Sequence, residues 1–136
     1  AFDPAEYAVP SHPRIVPLGH LPWAELVGLY RRSSHFIHLA YLDHCPNVVV
    51  DARAAGCHIV CSSSGGTQEV AGTNATIIDD PPWNMYPLDL YSPPAMDFTK
   101  TIAPMWDADI SMETVGYNYF MVLQEAIKHG FDVPRQ

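Results

Sequence analysis

Two carboxylates, Asp43 and Asp51, stand eight positions apart in the run Asp43-His44-Cys45-Pro46-Asn47-Val48-Val49-Val50-Asp51-Ala52-Arg53-Ala54-Ala55-Gly56. Pro46 suits the first turn of a helix, where its missing N–H costs nothing, and Gly56 suits the residue that closes one. This spacing predicts Asp43 in a loop before a helix and Asp51 about a turn and a half inside it. The helix start presents free backbone N–H groups and the positive end of its dipole beside Asp43. An anion such as a diphosphate can rest on that terminus while the carboxylates accept hydrogen bonds from hydroxyls on either side. The ligand chemistry is a phosphate flanked by polyols, which describes a nucleotide-sugar.

The elements that must position this run alternate regularly. Arg14 to Leu18 is a short apolar run ending at Gly19 and reads as a buried strand. Pro22 opens a helix to about Ser33, with Trp23, Leu26, Val27 and Tyr30 at spacings of three and four. A second strand is expected over Phe36–Ala40, then the Pro46–Gly56 helix. A third strand follows over His58–Cys61, a small-residue loop at Ser62–Gly66, a helical turn through Glu69 and Val70, and a fourth strand over Ala75–Ile78. This alternation predicts a parallel sheet with helices on both faces, a Rossmann-like α/β fold truncated at its N-terminal edge. Residues 1–13 read as an arm or linker and 14–136 as one domain. Within that domain, 81–110 is a proline-rich, irregular crossover carrying Trp83, Tyr86, Tyr91 and Phe98. A last helix is expected from Ser111 to His129, with Val115, Tyr119, Val122, Leu123, Ala126 and Ile127 on its inner face and Gly130 as its cap.

Three blocks, in order, carry a family resemblance. The Asp43–Gly56 run resembles the donor-binding motif of the family 4 (group 1) glycosyltransferases, two glutamates with seven residues between, in the form E-G-C-P-N-V-V-L-E-A-x-A-x-G. Leu18-Gly19-His20-Leu21-Pro22-Trp23-Ala24-Glu25-Leu26 is similar to the "LG-aromatic-VP-x-x-E-L" block that precedes it. Ser62-Ser63-Ser64-Gly65-Gly66-Thr67-Gln68-Glu69-Val70 resembles the "GG-x-x-E-V" loop that follows. The chain departs from the pattern in having aspartate at both motif glutamates and His44 where the family has glycine. An aspartate is shorter by one methylene, so a bound hydroxyl must come closer.

The resemblance implies the C-terminal, donor-binding half of a two-domain GT-B enzyme. Such an enzyme transfers a sugar from a nucleotide-sugar to an acceptor with retention, without a metal or other cofactor. It implies that Asp43 contacts the donor sugar as the catalytic-site carboxylate and that Asp51 binds the ribose. The backbone around His44, Cys45, Pro46, Asn47 and Val48 would face the diphosphate, Pro46 donating nothing because it has no N–H. His20 and Leu21 would border the nucleobase. The upstream strands with the Arg and Lys that grip the diphosphate, and the acceptor-binding half, are expected from elsewhere, either a missing N-terminal half or a partner chain. The acceptor class, glycan or lipid, stays open. A sheet edge left unpaired also predicts homo-oligomer formation.

Bulk composition narrows the alternatives. The chain has 136 residues, 48% hydrophobic and 16% charged, which suits a packed core. A formal charge of −8 argues against a nucleic-acid surface, which needs clustered cations. Without a membrane-length apolar run or a signal-like segment, the expectation is a cytoplasmic protein, associated with membranes only through the missing half. The three cysteines form no disulfide framework, and Cys57 and Cys61 read as buried thiols flanking a strand. The histidines His35, His38, His44 and His58 with the cysteines fit no structural zinc spacing. Asp107-Ala108-Asp109 looks like a metal-binding D-x-D but sits where a helix start favours acids. Two rivals to the enzyme reading stay open, a non-catalytic nucleotide-binding or regulatory domain and an interaction module.

Overall fold

The computed structural model describes residues 11–81, 87 and 94–129. The elements run α1 (Trp23–Tyr30), β1 (His35–His38), α2 (Asn47–Ala54), β2 (His58–Ser62), α3 (Thr67–Ala71), β3 (Ala75–Ile78), β4 (Thr101–Ile102) and α4 (Met112–His129). Strands β1, β2 and β3 pair in parallel in chain order, with Phe36 opposite Ile59, Ile59 opposite Ala75, and Cys61 opposite Ile77. Parallel strands need crossovers, and α2 and α3 supply them. The sheet is the expected Rossmann-like α/β arrangement with one addition. Strand β4, inside the proline-rich crossover, adds an antiparallel edge through Ile77–Ile102 and Ile78–Thr101.

The core lies on one face of that sheet. Ile59, Cys61 and Ile77 meet Tyr30 of α1, Val49 and Ala52 of α2, and Ala71 of α3. Neighbours in parallel register point the same way, so the opposite face carries His35, Ile37, His58, Val60 and Thr76. Ile37 is 64% exposed. Among the described residues the helices therefore cover one face of the sheet, not both. The reason is topological. Each crossover advances the sheet in the same direction, and right-handed crossovers that all advance one way stack their helices on one side.

Two further expectations change. Arg14–Leu18 forms no strand, and Ile15, Val16 and Leu18 are 44%, 71% and 51% exposed. An apolar run becomes a strand only when it pairs in a ladder, and this run pairs with none of the described strands, although β1 keeps a free outer edge. Helix α4 forms almost as expected, yet its predicted inner face is open, with Tyr119 70%, Val122 67%, Leu123 60% and Ile127 81% exposed. Helical periodicity specifies a stripe but not what covers it. Trp83, Tyr86, Tyr91 and Gly130 lie outside the described residues.

The segment before α4 is anchored to the domain by one side chain. Arg53 donates to the carbonyls of Val70 (3.2 Å) and Ala108 (2.9 Å) and pairs with Asp107 Oδ1 at 3.1 Å. Asp109 accepts from the Thr114 hydroxyl and from Ser111 N (2.8 Å), which together hold its carboxyl below the usual range. The acidic triplet is thus spent on anchoring and on helix initiation.

Candidate functional site

The C-terminal ends of β1 and β2 bring the first and third motif blocks together. After His38 the chain leaves the sheet, turns at Leu42, which adopts φ 57°, and reaches α2 through Asp43–Pro46. After Ser62 it forms the loop Ser63–Gly66. These two loops touch backbone to backbone. Gly66 N donates to the Asp43 carbonyl at 2.9 Å, the Thr67 hydroxyl reaches the same oxygen at 3.4 Å, and Leu42 N donates to Ser64 Oγ at 3.4 Å. A Cβ on Gly65 would collide with the Asp43 carbonyl, and one on Gly66 with that of His44. The glycine pair is required here because only a bare backbone lets the second loop lie against the first.

Asp43 is fixed twice. Its main chain is held by the glycine loop, and its side chain accepts from His38 Nε2 through Oδ2 at 3.0 Å. His38 is largely buried and Asp43 about one-third exposed, so the carboxylate is oriented yet open to a ligand. His38 lies outside the motif blocks. Alternation along β1, which puts it on the helix-covered side with Phe36 as the last strand residue before the loop, is the signal in the sequence that points to it.

Helix α2 starts beside this carboxylate without a side-chain cap. Pro46 is buried, whereas His44, Cys45, Asn47 and Val48 are exposed. Val49 N bonds back to the Pro46 carbonyl at 3.0 Å, so the free donors of the first turn are the N–H groups of Asn47 and Val48. An exposed, uncapped helix start next to an oriented carboxylate is an arrangement able to accept an anion on its amides and a hydroxyl on its carboxylate.

Asp51 occupies a different environment. It lies half-buried on the flank of α2 that faces α1, where the Trp23 indole N–H points to its Oδ2 at 3.4 Å. Trp23, Val27, Arg31, Asp51, Ala54 and Ala55 line a groove of about 220 Å³ between the two helices. The two motif carboxylates therefore stand around the first turns of α2, one before it and one along its side, each with its own donor. Burial first, then the charge of Asp51, pushes the nearby Tyr30 hydroxyl above its ordinary value.

His20 and Leu21 are not drawn into either place. His20 is exposed. Leu21 lines a groove of about 410 Å³ with Leu18, Glu25, Gly28, Leu29 and Arg32 on another face of α1, and neither carboxylate borders it. Cys45 is an exposed free thiol, while Cys57 and Cys61 are buried, as their apolar setting suggests. Among the described residues no three His, Cys, Asp or Glu side chains converge to hold a metal, and no helix is long and apolar enough to cross a membrane.

No curated protein and no solved structure matches the chain. The family model described as "Glycosyl transferases group 1" matches residues 12–86, which contain all three motif blocks, both carboxylates and the whole parallel part of the sheet. The match covers more than half of the chain, on the segment that holds both carboxylates and the two loops that meet: the chain belongs to the group 1 glycosyltransferases.

Proposed function

We propose that this chain is the donor-binding half of a retaining glycosyltransferase that uses a nucleotide-sugar. The observation that carries this reading is the arrangement at the start of α2. Asp43 is clamped by His38 and by the glycine loop next to exposed, uncapped amides of Asn47 and Val48. In this reading the diphosphate rests on those amides, Asp43 accepts from hydroxyls of the sugar, and Asp51 accepts from those of the ribose. Oriented N–H groups stabilise the negative charge that grows on the departing diphosphate, and the fixed dipoles need no rearrangement as it develops. No metal is required for that step. The acceptor and the remaining diphosphate contacts come from a second half or a partner.

Calorimetry and thermal shift with UDP, GDP, ADP and their common sugars test it, with Asp51→Ala as the control. The expected result is stabilisation by one nucleotide, lost in Asp51→Ala, and tighter binding of its sugar form that depends on Asp43. Stabilisation by no nucleotide would sink the reading. A second reading, a nucleotide-binding domain without turnover, is favoured by the aspartates that replace both motif glutamates. It predicts binding as above but no release of sugar or nucleotide from the bound donor when the second half is supplied.

A further inference from the structure

The groove between α1 and α2 has features that the motif residues do not explain. Trp23 begins α1 and remains 68% exposed, an unusual position for the largest apolar ring in this part of the chain. The floor beside it is made of small apolar side chains, Val27, Ala54 and Ala55, and its rim carries one carboxylate, Asp51, and one guanidinium, Arg31. A flat aromatic face, an apolar floor and polar groups at the edge suit a ligand that is itself a flat ring with polar edges and an attached polyol.

Resting on the nucleotide-sugar reading above, we propose that Trp23 is the stacking platform for the nucleobase, and that the α1–α2 groove holds the nucleoside with Asp51 on its ribose. At about 220 Å³ the groove is smaller than sites that engulf a whole small ligand, ~300–1,000 Å³, so it accommodates one part of the donor rather than all of it. Stacking on an indole face tolerates any base, because every base has a π-face. Arg31, a donor with no acceptor function, adds a preference for a base that presents a carbonyl oxygen at that edge. The indole-to-carboxylate contact at 3.4 Å is long for a hydrogen bond, so a ribose hydroxyl can replace it at little cost. This assignment moves the base contact away from Leu21, which lines another groove, and from the exposed His20.

The test compares the 136-residue chain with Trp23→Ala and Trp23→Phe, using UDP, GDP, ADP and the free nucleosides uridine, guanosine and adenosine as probes. For the nucleotide that binds, Trp23→Ala should weaken both the diphosphate and its free nucleoside by about tenfold, the lower range of one stacked base. Trp23→Phe should fall between the two. Quenching of intrinsic fluorescence by the nucleoside should be present in the wild type and lost in Trp23→Phe, which keeps the other two tryptophans, Trp83 and Trp106. Circular dichroism checks that each variant is folded, and the phenylalanine variant keeps the test open if alanine unfolds. Unchanged nucleoside affinity in both variants, with Asp51→Ala still losing the nucleotide, would overturn this assignment alone. Failure of the wild type to bind any of the six probes would overturn the donor-site reading and this assignment together.

Discussion

Nε2 of His38 lies 3.0 Å from Oδ2 of Asp43, joining the last residue of a strand to the first carboxylate of the site. An ionised carboxylate can only accept, so Nε2 carries the hydrogen and one Asp43 oxygen is occupied. The other stays available to a ligand. Replacing His38 with alanine should therefore cost roughly 1 kcal/mol of stability, the usual net worth of such a bond. It should weaken a nucleotide-sugar more than the free nucleotide, because only the sugar meets Asp43. Melting curves and calorimetry on both ligands check it, and equal weakening of the two would contradict the assignment of Asp43 to the sugar.

The contact between the two site loops predicts a sharp contrast among glycines. Gly65→Ala meets a φ of 72° and backbone of Leu42 at 2.9 Å, and Gly66→Ala meets the His44 carbonyl. Gly56 also has positive φ, 93°, but nothing lies within 4 Å of an added Cβ. Gly56→Ala should cost about 1 kcal/mol from backbone strain alone, and Gly65→Ala and Gly66→Ala roughly 2 kcal/mol or more. Urea unfolding ranks the three. The nucleotide response should fall with the second pair and survive in the first.

Burial pushes the Cys61 thiol up to about 11 from an ordinary value of 9.0. The folded state keeps this proton where the unfolded chain would release it, so the folded state loses stability relative to the unfolded chain as pH rises. The contribution of Cys61 is fully present below pH 9 and is lost as pH rises from about 9 through 11, a total loss of roughly 2–3 kcal/mol. Tyr30, raised by burial and then by the charge of Asp51, acts in the same direction as pH rises above its ordinary value of 10.0. Cys61→Ala should flatten the fall in melting temperature above pH 9. At pH 8 a thiol reagent should label the exposed Cys45 and leave Cys57 and Cys61 unmodified until the chain unfolds.

Arg53 bonds the Val70 carbonyl of α3 and anchors the segment before α4 through the Ala108 carbonyl and Asp107. Its replacement by methionine leaves those acceptors to water and should free residues 107–129 before the sheet loosens. Limited proteolysis should cut that segment faster in Arg53→Met, while the thermal transition of the core shifts by about 1–2 kcal/mol at most. A variant as resistant as the wild type would show that other contacts hold α4.

Local chemistry determined much of this molecule. The Asp43–Gly56 run alone placed a loop carboxylate, a proline-started helix and a glycine stop, because each depends on backbone rules that act within a few residues. Gly56 indeed follows α2 with positive φ. The limits of β3 were legible for the same reason. Neighbouring chain decided the rest. Arg14–Leu18 has the composition of a strand but no partner ladder, and α4 has the periodicity of a packed helix but an open face. Strand β4 is two residues long and exists because β3 offers it an edge. The pairing of His38 with Asp43 and of Trp23 with Asp51, across 5 and 28 positions, followed only from how the sheet and helices brought their ends together. Side-chain type sets what a residue can do, whereas which partner it meets is a long-range property of packing that no local pattern encodes.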